Sequence, residues 1–315
     1  MPAAETPDGR PISREWQPPF PLDLRAVLAP LRRGPGDPTF RIDAAGVLWR
    51  ACTTPEGPAT LALTRRSGGE VVATAWGPGA PRVLDGLPTL LGAADDDTGF
   101  EPRHPLVARA RRRWPGLRLC ATGRVWDVLV PAVLEQKVTL QESWRSWREL
   151  CRRFGEPAPG PVPRGMRVPP TARTLREIPD WEWHRAGVDG ARRRTLRAVA
   201  VVAGRLERAV ELAGSAGGVA ACRFLTLVPG VGVWTAAEVA QRAWADADAV
   251  SVGDRHLPAL VGQALVGRPL DDAGMLEVLA GYAPQRHRAV RYVRASGVPR
   301  PRTVPRATPR DFRRI

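Results

Sequence analysis

Residues 227–240 read LVPGVGVWTAAEVA, and this pattern decides the predicted fold. A short apolar segment leads into Pro229, and small or apolar residues then recur at Ala236, Val239 and Ala240. Spacings of three and four residues are typical of one buried face of an α-helix. The stretch therefore predicts two helices joined by a tight turn at residues 229–232.

The turn has the composition of a phosphate-binding site. Its two glycines can adopt backbone conformations closed to other residues, or let another backbone approach closely. The first N–H groups of the following helix lack acceptors within the helix, and the helix dipole adds positive potential there. We expect a nucleic-acid phosphate at this turn, with contacts from Pro229, Gly230, Val231, Gly232 and Thr235. An ordinary corner between two helices would have the same residues, so the turn alone leaves both interpretations open.

The sequence after the second helix adds a second element. Residues 247–257 read ADAVSVGDRHL, and Asp254 lies twenty residues after Trp234. The turn and the aspartate together resemble the helix–hairpin–helix DNA glycosylase superfamily, in particular the AlkA-type DNA-3-methyladenine glycosylases II. Its members carry an apolar residue, P-G-(V/I)-G and a helix, with a catalytic aspartate at a similar distance. The resemblance implies that Asp254 is the catalytic residue.

The composition favours a polyanionic partner. Of the 315 residues, 43% are hydrophobic and 25% are charged, which is enough apolar material for a sizeable core. A net charge of +15 and a pI near 11.3 favour nucleic acid over a membrane. Lys137 is the only lysine, and part of the arginine excess is also typical of GC-rich genomes.

The cysteines do not have the spacing of a metal site. The four residues, Cys52, Cys120, Cys151 and Cys222, are far apart and form no C-x-x-C pair, so we expect neither zinc nor disulfides. They also lack the clustering with which some relatives hold an iron–sulfur cluster. The sequence has no signal-peptide core and no membrane-spanning apolar run. We expect a cytoplasmic, nucleoid-associated protein that does not contact a membrane.

The patterning divides the chain into four regions. Residues 1–19 are proline-rich and aperiodic, and we expect a disordered tail. Residues 20–95 contain a helical pattern, strand-like runs with a hairpin signal at 65–70, and a second helical pattern. Residues 100–297 are predicted to be mainly helical, and residues 298–315 to be a basic tail of alternating proline and arginine.

The predicted fold class is α+β, with a small antiparallel-sheet module before a mainly helical domain. By resemblance, the module corresponds to the N-terminal domain of the AlkA-type enzymes and the helical part to their glycosylase domain. Asp95, Asp96 and Asp97 lie between the two and are expected to form a solvated linker.

A second stretch, in the helical half, carries the resemblance further. The segment WPGLR and the helix end AVLEQKVT resemble the family's P-G-L-R-L and G-Q-x-V-S, with Glu135 in place of glycine. In the family, the residue after the glutamine fills the space of an extruded base, usually with an apolar side chain. That residue is Lys137 here, so either Val138 or Leu140 takes this place or Lys137 binds a phosphate. We expect Gln136, Lys137 and Val138 to contact DNA; alternatively, this loop merely ends a helix.

Asp254 has the chemistry that cleavage of an N-glycosidic bond requires. The reaction develops positive charge on the deoxyribose, and a carboxylate against the sugar stabilises that charge and can position the attacking water. A helix is predicted to begin near His256, so Asp254 could instead be its N-terminal cap. The two roles are compatible.

Trp234 opens the second helix, where it could stack on a flipped base. An alkylated purine often carries positive charge, and an aromatic face attracts such a cation by about 0.5–2 kcal/mol. The resemblance agrees, since AlkA-type enzymes have tryptophan here, whereas glycosylase/lyases have a lysine that forms a Schiff base. Trp234 therefore predicts a monofunctional enzyme. Its alternative role is that of an ordinary core residue.

Two positions of the expected substrate pocket depart from the family. The aromatic residue expected one helical turn after Trp234 is Glu238, and the family's P-W-R on the last helix reads P-Q-R around Gln285. The resemblance therefore implies a more polar pocket that includes both residues. It also implies a monovalent cation at the main-chain carbonyls of Thr226, Val228 and Val231; no other cofactor is expected.

The resulting hypothesis is a monomeric, monofunctional DNA glycosylase of base excision repair. It would flip a damaged, alkylated purine out of double-stranded DNA and hydrolyse the N-glycosidic bond. The first alternative is a non-catalytic helix–hairpin–helix DNA-binding protein, which would have no need of a carboxylate such as Asp254 facing a polyanion. A third hypothesis, an enzyme that acts on oxidised bases, is disfavoured by Trp234 in place of lysine.

Overall fold

The computed structural model describes residues 10–299 and Asp311. Within these residues, one antiparallel sheet lies near the N-terminus and helices form most of the remainder, so the predicted α+β class is confirmed. The strands are β1 (Ile12–Trp16), β2 (Phe40–Ile42), β3 (Leu48–Thr54), β4 (Gly57–Arg65) and β5 (Val71–Trp76).

The helices follow the sheet, apart from one that precedes β2. They are α1 (Leu24–Leu28), α2 (Ala80–Asp85), α3 (Leu87–Leu90), α4 (Pro105–Arg113), α5 (Trp126–Leu134), α6 (Leu140–Phe154), α7 (Ala172–Glu177), α8 (Asp180–Arg185), α9 (Gly190–Leu206), α10 (Arg208–Ser215), α11 (Gly218–Thr226), α12 (Val233–Ala243), α13 (Leu257–Val266), α14 (Asp272–Leu279) and α15 (Arg286–Ala295). The two helices predicted around the turn at 229–232 are α11 and α12.

The sheet has the strand order β1-β5-β4-β3-β2. The hairpin predicted at residues 65–70 joins β4 to β5, and the Arg66 N–H donates to the Glu70 carbonyl at 2.9 Å. One face of the sheet packs into the main core through residues such as Leu61 and Leu63. The other face carries Trp49 and Trp76, whose stacked rings lie 5.6 Å apart. Successive side chains of a strand point to opposite faces, which accounts for this division.

The tail predicted at residues 1–19 is wrong for residues 12–16, which form β1. This strand pairs antiparallel with β5, and Ile12 lies opposite Ala75. Its apolar and polar side chains do not alternate regularly, so the sequence pattern did not indicate a strand. An edge strand obtains most of its stability from main-chain hydrogen bonds to its neighbour. Residues 1–9 lie outside the described part of the chain.

The solvated linker predicted at Asp95 to Asp97 is wrong for Asp95. Asp95 is buried, and its carboxylate accepts two hydrogen bonds from the buried Arg288 of α15, at 2.5 and 3.0 Å. It also accepts the Leu119 N–H at 2.9 Å. A buried charge is tolerated when it is paired and hydrogen-bonded, so the first aspartate of the run ties the last helix to the segment before α4.

The candidate site lies where two hydrophobic cores approach each other. The turn between α11 and α12, which we call the hairpin, contributes Val228 and Val231 to the larger core, and α12 contributes Val239. This larger core also contains the sheet. Leu257 and Met275, from α13 and α14, belong to a second core that includes α4 and α15. The segment between α12 and α13, which carries Asp254, therefore joins the two cores.

Two further predictions concern a membrane-spanning helix and the C-terminal tail. Among the described residues, no helix has both the length and the apolar content needed to cross a membrane. The predicted basic tail lies outside the described residues, apart from Val298, Pro299 and Asp311.

Candidate active site

The turn between α11 and α12 is closed by one hydrogen bond, from the Val231 N–H to the Val228 carbonyl at 3.0 Å. Gly230 has φ +88°, and a Cβ atom built there would lie 2.0 Å from Thr195 Oγ1 of α9. A side chain is therefore excluded at Gly230 by both conformation and space. Gly232 has an ordinary φ of −92°, and a Cβ atom there would meet nothing within 4 Å.

The N-terminus of α12 presents free main-chain donors. Gly232 caps the helix without a side-chain hydrogen bond. Among residues 10–299, no acceptor receives the N–H groups of Gly230, Gly232 or Val233. These groups lie at an exposed turn, and the Val233 side chain is 67% exposed. Donors that are free at the surface, at the positive end of a helix, form an anion-binding arrangement.

Two of the residues predicted to contact DNA face the interior instead. The side chains of Val231 and Thr235 are 4% and 2% exposed. Thr235 Oγ1 accepts a hydrogen bond from Gln136 Nε2 at 2.9 Å, and the same amide donates to the Gly230 carbonyl at 2.9 Å. Val231 and Thr235 can therefore reach a ligand only through the main chain. Gln136 locks the loop after α5 onto the hairpin.

The loop after α5 presents one cationic and one apolar side chain at the surface. Lys137 is exposed and adopts φ +54°, an uncommon conformation for a residue other than glycine. Val138 is half-buried, and Leu140, the first residue of α6, is 45% exposed. Thr139 fixes the start of α6 through a capping box with Glu142. Leu140 is thus the more accessible of the two predicted base-replacing residues, and Lys137 is accessible for its predicted alternative role at a phosphate.

Glu135, which stands where the resemblance predicts glycine, is paired with an arginine. Its carboxylate lies 3.1 Å from Nη1 of Arg33, which follows α1, and both side chains are nearly buried. Burial raises the pKa of Glu135, while Arg33 and Arg242 offset part of that rise. In place of the family's glycine, Glu135 therefore forms an ion pair that joins α5 to the N-terminal part of the chain.

Asp254 and Trp234, the residues expected to act on the sugar and on the base, lie beside each other. One carboxylate oxygen, Oδ1, accepts the N–H groups of His256 and Leu257 at 2.8 Å each. The other oxygen, Oδ2, lies 3.4 Å from the indole Nε1 of Trp234. Both residues are half-buried. Asp254 therefore caps α13 with one oxygen and keeps the second beside the indole, so the two predicted roles are compatible in this geometry.

Glu238 does not line an open pocket, contrary to the prediction. It is 6% exposed, and its two oxygens are used by Ser251 Oγ at 2.5 Å and by Arg242 Nη1 at 2.8 Å. Burial alone would raise the pKa of Glu238, but Arg242 and Arg294 outweigh it, so the pKa lies below the ordinary value. Glu238 points inward because it follows Trp234 by one turn on the helix face that packs into the core.

Gln285 is also occupied by neighbouring groups. It is half-buried, Nε2 donates to the Thr98 carbonyl at 3.0 Å, and Oε1 accepts from Arg288 Nε at 2.5 Å. The adjacent Arg286 pairs with Asp248 through two hydrogen bonds of 2.6 and 2.8 Å. The predicted contact of Gln285 with a substrate would therefore require its amide to exchange partners.

The sequence interpretation missed three polar residues near Asp254. Ser251 and Gln241 are buried and hydrogen-bonded to each other at 2.8 Å. Asp272, in the first turn of α14, accepts the Gly253 N–H with both oxygens at 3.1 Å. For Gln241, the signal that could have identified it is a polar residue on the otherwise Ala- and Val-rich buried face of α12.

The described residues contain no metal-type cluster of three or more His, Cys, Asp or Glu. The cysteines are free thiols, and burial raises the pKa of each; for Cys52 and Cys222 it reaches about 11. In the hairpin, the Val228 carbonyl accepts the Val231 N–H, whereas no hydrogen bond within residues 10–299 uses the main-chain carbonyls of Thr226 and Val231. Two of the three carbonyls are therefore without a hydrogen bond, and the monovalent cation stays a prediction.

Comparison with solved structures connects this geometry to known proteins. A 3-methyladenine DNA glycosylase from Archaeoglobus fulgidus superimposes with a TM-score of 0.69 at 16% identity, over 89% of this chain and 97% of the other. An 8-oxoguanine glycosylase/lyase from Clostridium acetobutylicum gives 0.68 at 13% identity, over 92% and 98%. The chain has the helix–hairpin–helix DNA glycosylase fold. No family model and no curated protein matches the sequence.

The glycosylase fold accounts for nearly the whole described chain. Since the match covers almost all of both chains in each comparison, the sheet and the helices belong to the same fold. Identities of 13–16% establish this fold and leave the reaction to be inferred from the side chains.

Proposed function

We propose that the protein is a monofunctional DNA glycosylase that removes a damaged, alkylated purine from double-stranded DNA in base excision repair. The observation that carries this proposal is the pairing of Asp254 with Trp234, whose Oδ2 and Nε1 atoms lie 3.4 Å apart. Trp234 directly follows Val233, one of the free main-chain donors at the start of α12. A carboxylate and an aromatic ring thus accompany an anion-binding helix N-terminus.

DNA binding is attributed to the hairpin and to the loop after α5. The free N–H groups of Gly230, Gly232 and Val233 would bind one phosphate, and the exposed Lys137 would add a positive charge nearby. The Gln136 amide holds these two elements together through the Gly230 carbonyl. A monovalent cation, if bound by the carbonyls of Thr226, Val228 and Val231, would add a further charge beside that phosphate.

The chemistry follows from what Asp254 and Trp234 can do. A base must leave the stack before its glycosidic bond is accessible, and this costs least when pairing is already damaged. The indole of Trp234 would stack on an alkylated purine and favour its positive charge. Asp254 Oδ1 is held by two N–H groups, so Oδ2 would face the sugar as positive charge develops and would orient the attacking water.

The substrate class and the monofunctional mode rest on Trp234. An indole cannot form a Schiff base with the sugar, which lyase chemistry requires of an amine. Of the two similar structures, one is named a 3-methyladenine glycosylase and the other an 8-oxoguanine glycosylase/lyase. Tryptophan in place of the lyase lysine favours the first type. We also propose that the enzyme acts as a monomer at the nucleoid in the cytoplasm.

A non-catalytic DNA-binding protein is the second candidate, and one observation favours it. Asp254 caps α13 with two hydrogen bonds of 2.8 Å, which gives this carboxylate a structural role without any catalysis. The cap uses Oδ1 only, however, while Oδ2 accepts the indole N–H of Trp234 at 3.4 Å and so lies beside the aromatic ring that would stack on a base. The glycosylase is therefore the preferred candidate.

Incubation with alkylated DNA distinguishes these two candidates. We expect the protein to release free methylated purines from methylated duplex DNA and to leave abasic sites, as measured by chromatography of the released bases. Unmethylated DNA of the same sequence is the control. Binding to both DNAs without base release would contradict the proposed enzyme and favour the binding protein.

Borohydride treatment tests the monofunctional mode. Because the expected nucleophile is water, sodium borohydride added during turnover should trap no covalent protein–DNA adduct on a denaturing gel. A glycosylase/lyase treated in parallel provides the positive control. Efficient trapping would assign the protein to the lyases, and a Lys137→Arg variant would then show whether the only lysine forms the adduct.

A further inference from the structure

The segment that carries Asp254 is fastened to α12 by buried side chains. Gln241 Nε2 donates to the Ala249 carbonyl at 2.9 Å and to Ser251 Oγ at 2.8 Å. Ser251 Oγ in turn donates to Glu238 Oε1 at 2.5 Å. The three side chains of Glu238, Gln241 and Ser251 are 6%, 7% and 1% exposed. They form a chain of hydrogen bonds, which we call the Ser251 anchor.

The Ser251 anchor reaches Asp254 through one further hydrogen bond. The Asp254 N–H donates to the Ser251 carbonyl at 3.2 Å, so the residue whose hydroxyl is held by α12 also holds the Asp254 main chain. Between them, Gly253 adopts φ +87° and donates its N–H to Asp272 of α14. The segment is therefore held from both sides, by α12 and by α14.

Packing alone does not require the buried polar side chains of the Ser251 anchor. Buried polar groups are tolerated only when they are hydrogen-bonded, and apolar residues of similar size would fill the same space at less risk. The neighbouring positions of α12, Ala237 and Ala240, are small and buried. The polar side chains therefore serve to specify the position of the segment, which apolar contacts would leave less defined.

The same helix carries the other parts of the candidate site. Trp234 lies in the first turn of α12, the free hairpin donors lie at its N-terminus, and Glu238 and Gln241 lie one and two turns further on. We propose that Ser251, held by Glu238 and Gln241, is the positioning residue that sets the Asp254 carboxylate at its distance from the Trp234 ring and the hairpin. This inference rests on the proposed glycosylase function and adds to it a specific role for Ser251.

The test compares two serines that are equally buried. Ser251→Ala removes the hydroxyl that links Gln241 to Glu238. Ser146→Ala, in α6, is the matched control, because Ser146 is 0% exposed and its hydroxyl donates to the Gly187 carbonyl at 3.2 Å. For each variant of the full chain, the measurements are the melting temperature, the affinity for methylated duplex DNA and the single-turnover rate of base release.

We expect Ser251→Ala to slow base release at saturating enzyme by about 10-fold or more, while DNA affinity stays within about twofold, because small misplacement of a catalytic group affects rate before binding. Ser146→Ala, which removes a single hydrogen bond, should lower the melting temperature less and leave the rate unchanged. Ser251→Thr, which keeps the hydroxyl, should recover part of the rate. Equal rates for Ser251→Ala and wild type would overturn the positioning role, as would equal slowing by both alanine variants.

A measurement that is independent of activity separates this inference from the proposed function. Amide hydrogen exchange in Ser251→Ala should be faster at Gly253 and Asp254 and unchanged at Val228 and Val231, whose N–H groups are hydrogen-bonded. Gln241→Ala provides a second variant if Ser251→Ala does not fold, with the same expected pattern. If the wild-type protein releases no base, the proposed function fails, whereas the exchange pattern still decides the anchor. Unchanged exchange at Gly253 and Asp254 in both variants would overturn it.

Discussion

Asp254→Asn should abolish most base release while the protein stays folded and bound to DNA. The asparagine carbonyl can accept the His256 and Leu257 N–H groups in place of Oδ1, so the cap on α13 remains. The negative charge that stabilises the developing cation is lost. We expect the single-turnover rate to fall by about 10²–10³-fold, the range for removing one such electrostatic group.

Asp254→Ala is the companion variant for the two roles of Asp254. It removes both the charge and the cap, and loss of an N-terminal cap costs about 1 kcal/mol of stability. Melting temperature should therefore fall for Asp254→Ala and stay near wild type for Asp254→Asn, with base release lost in both. Wild-type rates in the asparagine variant would leave Asp254 as a cap only and contradict the proposed mechanism.

Gly230→Ala should have the largest effect on stability among substitutions in the hairpin. A Cβ atom at φ +88° would be strained and would lie 2.0 Å from Thr195 Oγ1 of α9. The conformational penalty and the overpacking together amount to about 2–4 kcal/mol. We expect a clearly lowered melting temperature together with weaker binding of duplex DNA, because the turn that presents the free N–H groups is displaced.

Gly232→Ala is the matched control, since the two glycines differ in their surroundings. At φ −92°, with nothing within 4 Å of a Cβ atom, alanine should fit and change stability by less than about 0.5 kcal/mol. DNA affinity should nevertheless fall by about tenfold, roughly 1.4 kcal/mol, if a phosphate approaches this N–H. Unchanged affinity in a stable Gly232→Ala protein would show that the phosphate does not bind there.

The local parts of the site were predictable from the sequence. The turn at 229–232 and the helix after it follow from short-range patterns, because residues close along the chain have few ways to be arranged. The approach of Asp254 to Trp234, twenty residues earlier, is seen only in the structure. The α+β class followed in the same way from the separate strand and helix patterns. β1 at residues 12–16 was missed, because its stability comes from β5, about sixty residues away.

Two errors, one at the candidate site and one in the segment before α4, concern charged residues that are buried in the structure. Glu238 was expected to face a substrate and Asp95 to face solvent, yet each is buried against an arginine, Arg242 and Arg288 respectively. A carboxylate is normally exposed, because burial of its charge is unfavourable unless a specific partner pairs with it. Arg288 reaches Asp95 from 193 residues along the chain, so the local sequence gives no sign of it. Arg242 follows Glu238 by four residues on α12, so this pairing was readable from helical spacing, whereas the burial of the pair was not.

The sequence by itself thus determined which residues form the hairpin, which residue carries the candidate catalytic carboxylate, and which aromatic ring accompanies it. These properties depend on residue type and on spacing along one short segment. Only the tertiary structure decided how these parts are held in place. In the Asp254 segment, Ser251 is held by α12 and Gly253 by α14, while the loop after α5 is held to α12 through Gln136. The physical reason is that hydrogen-bond partners of buried polar groups are chosen by proximity in space, which is set only when the two cores pack against each other.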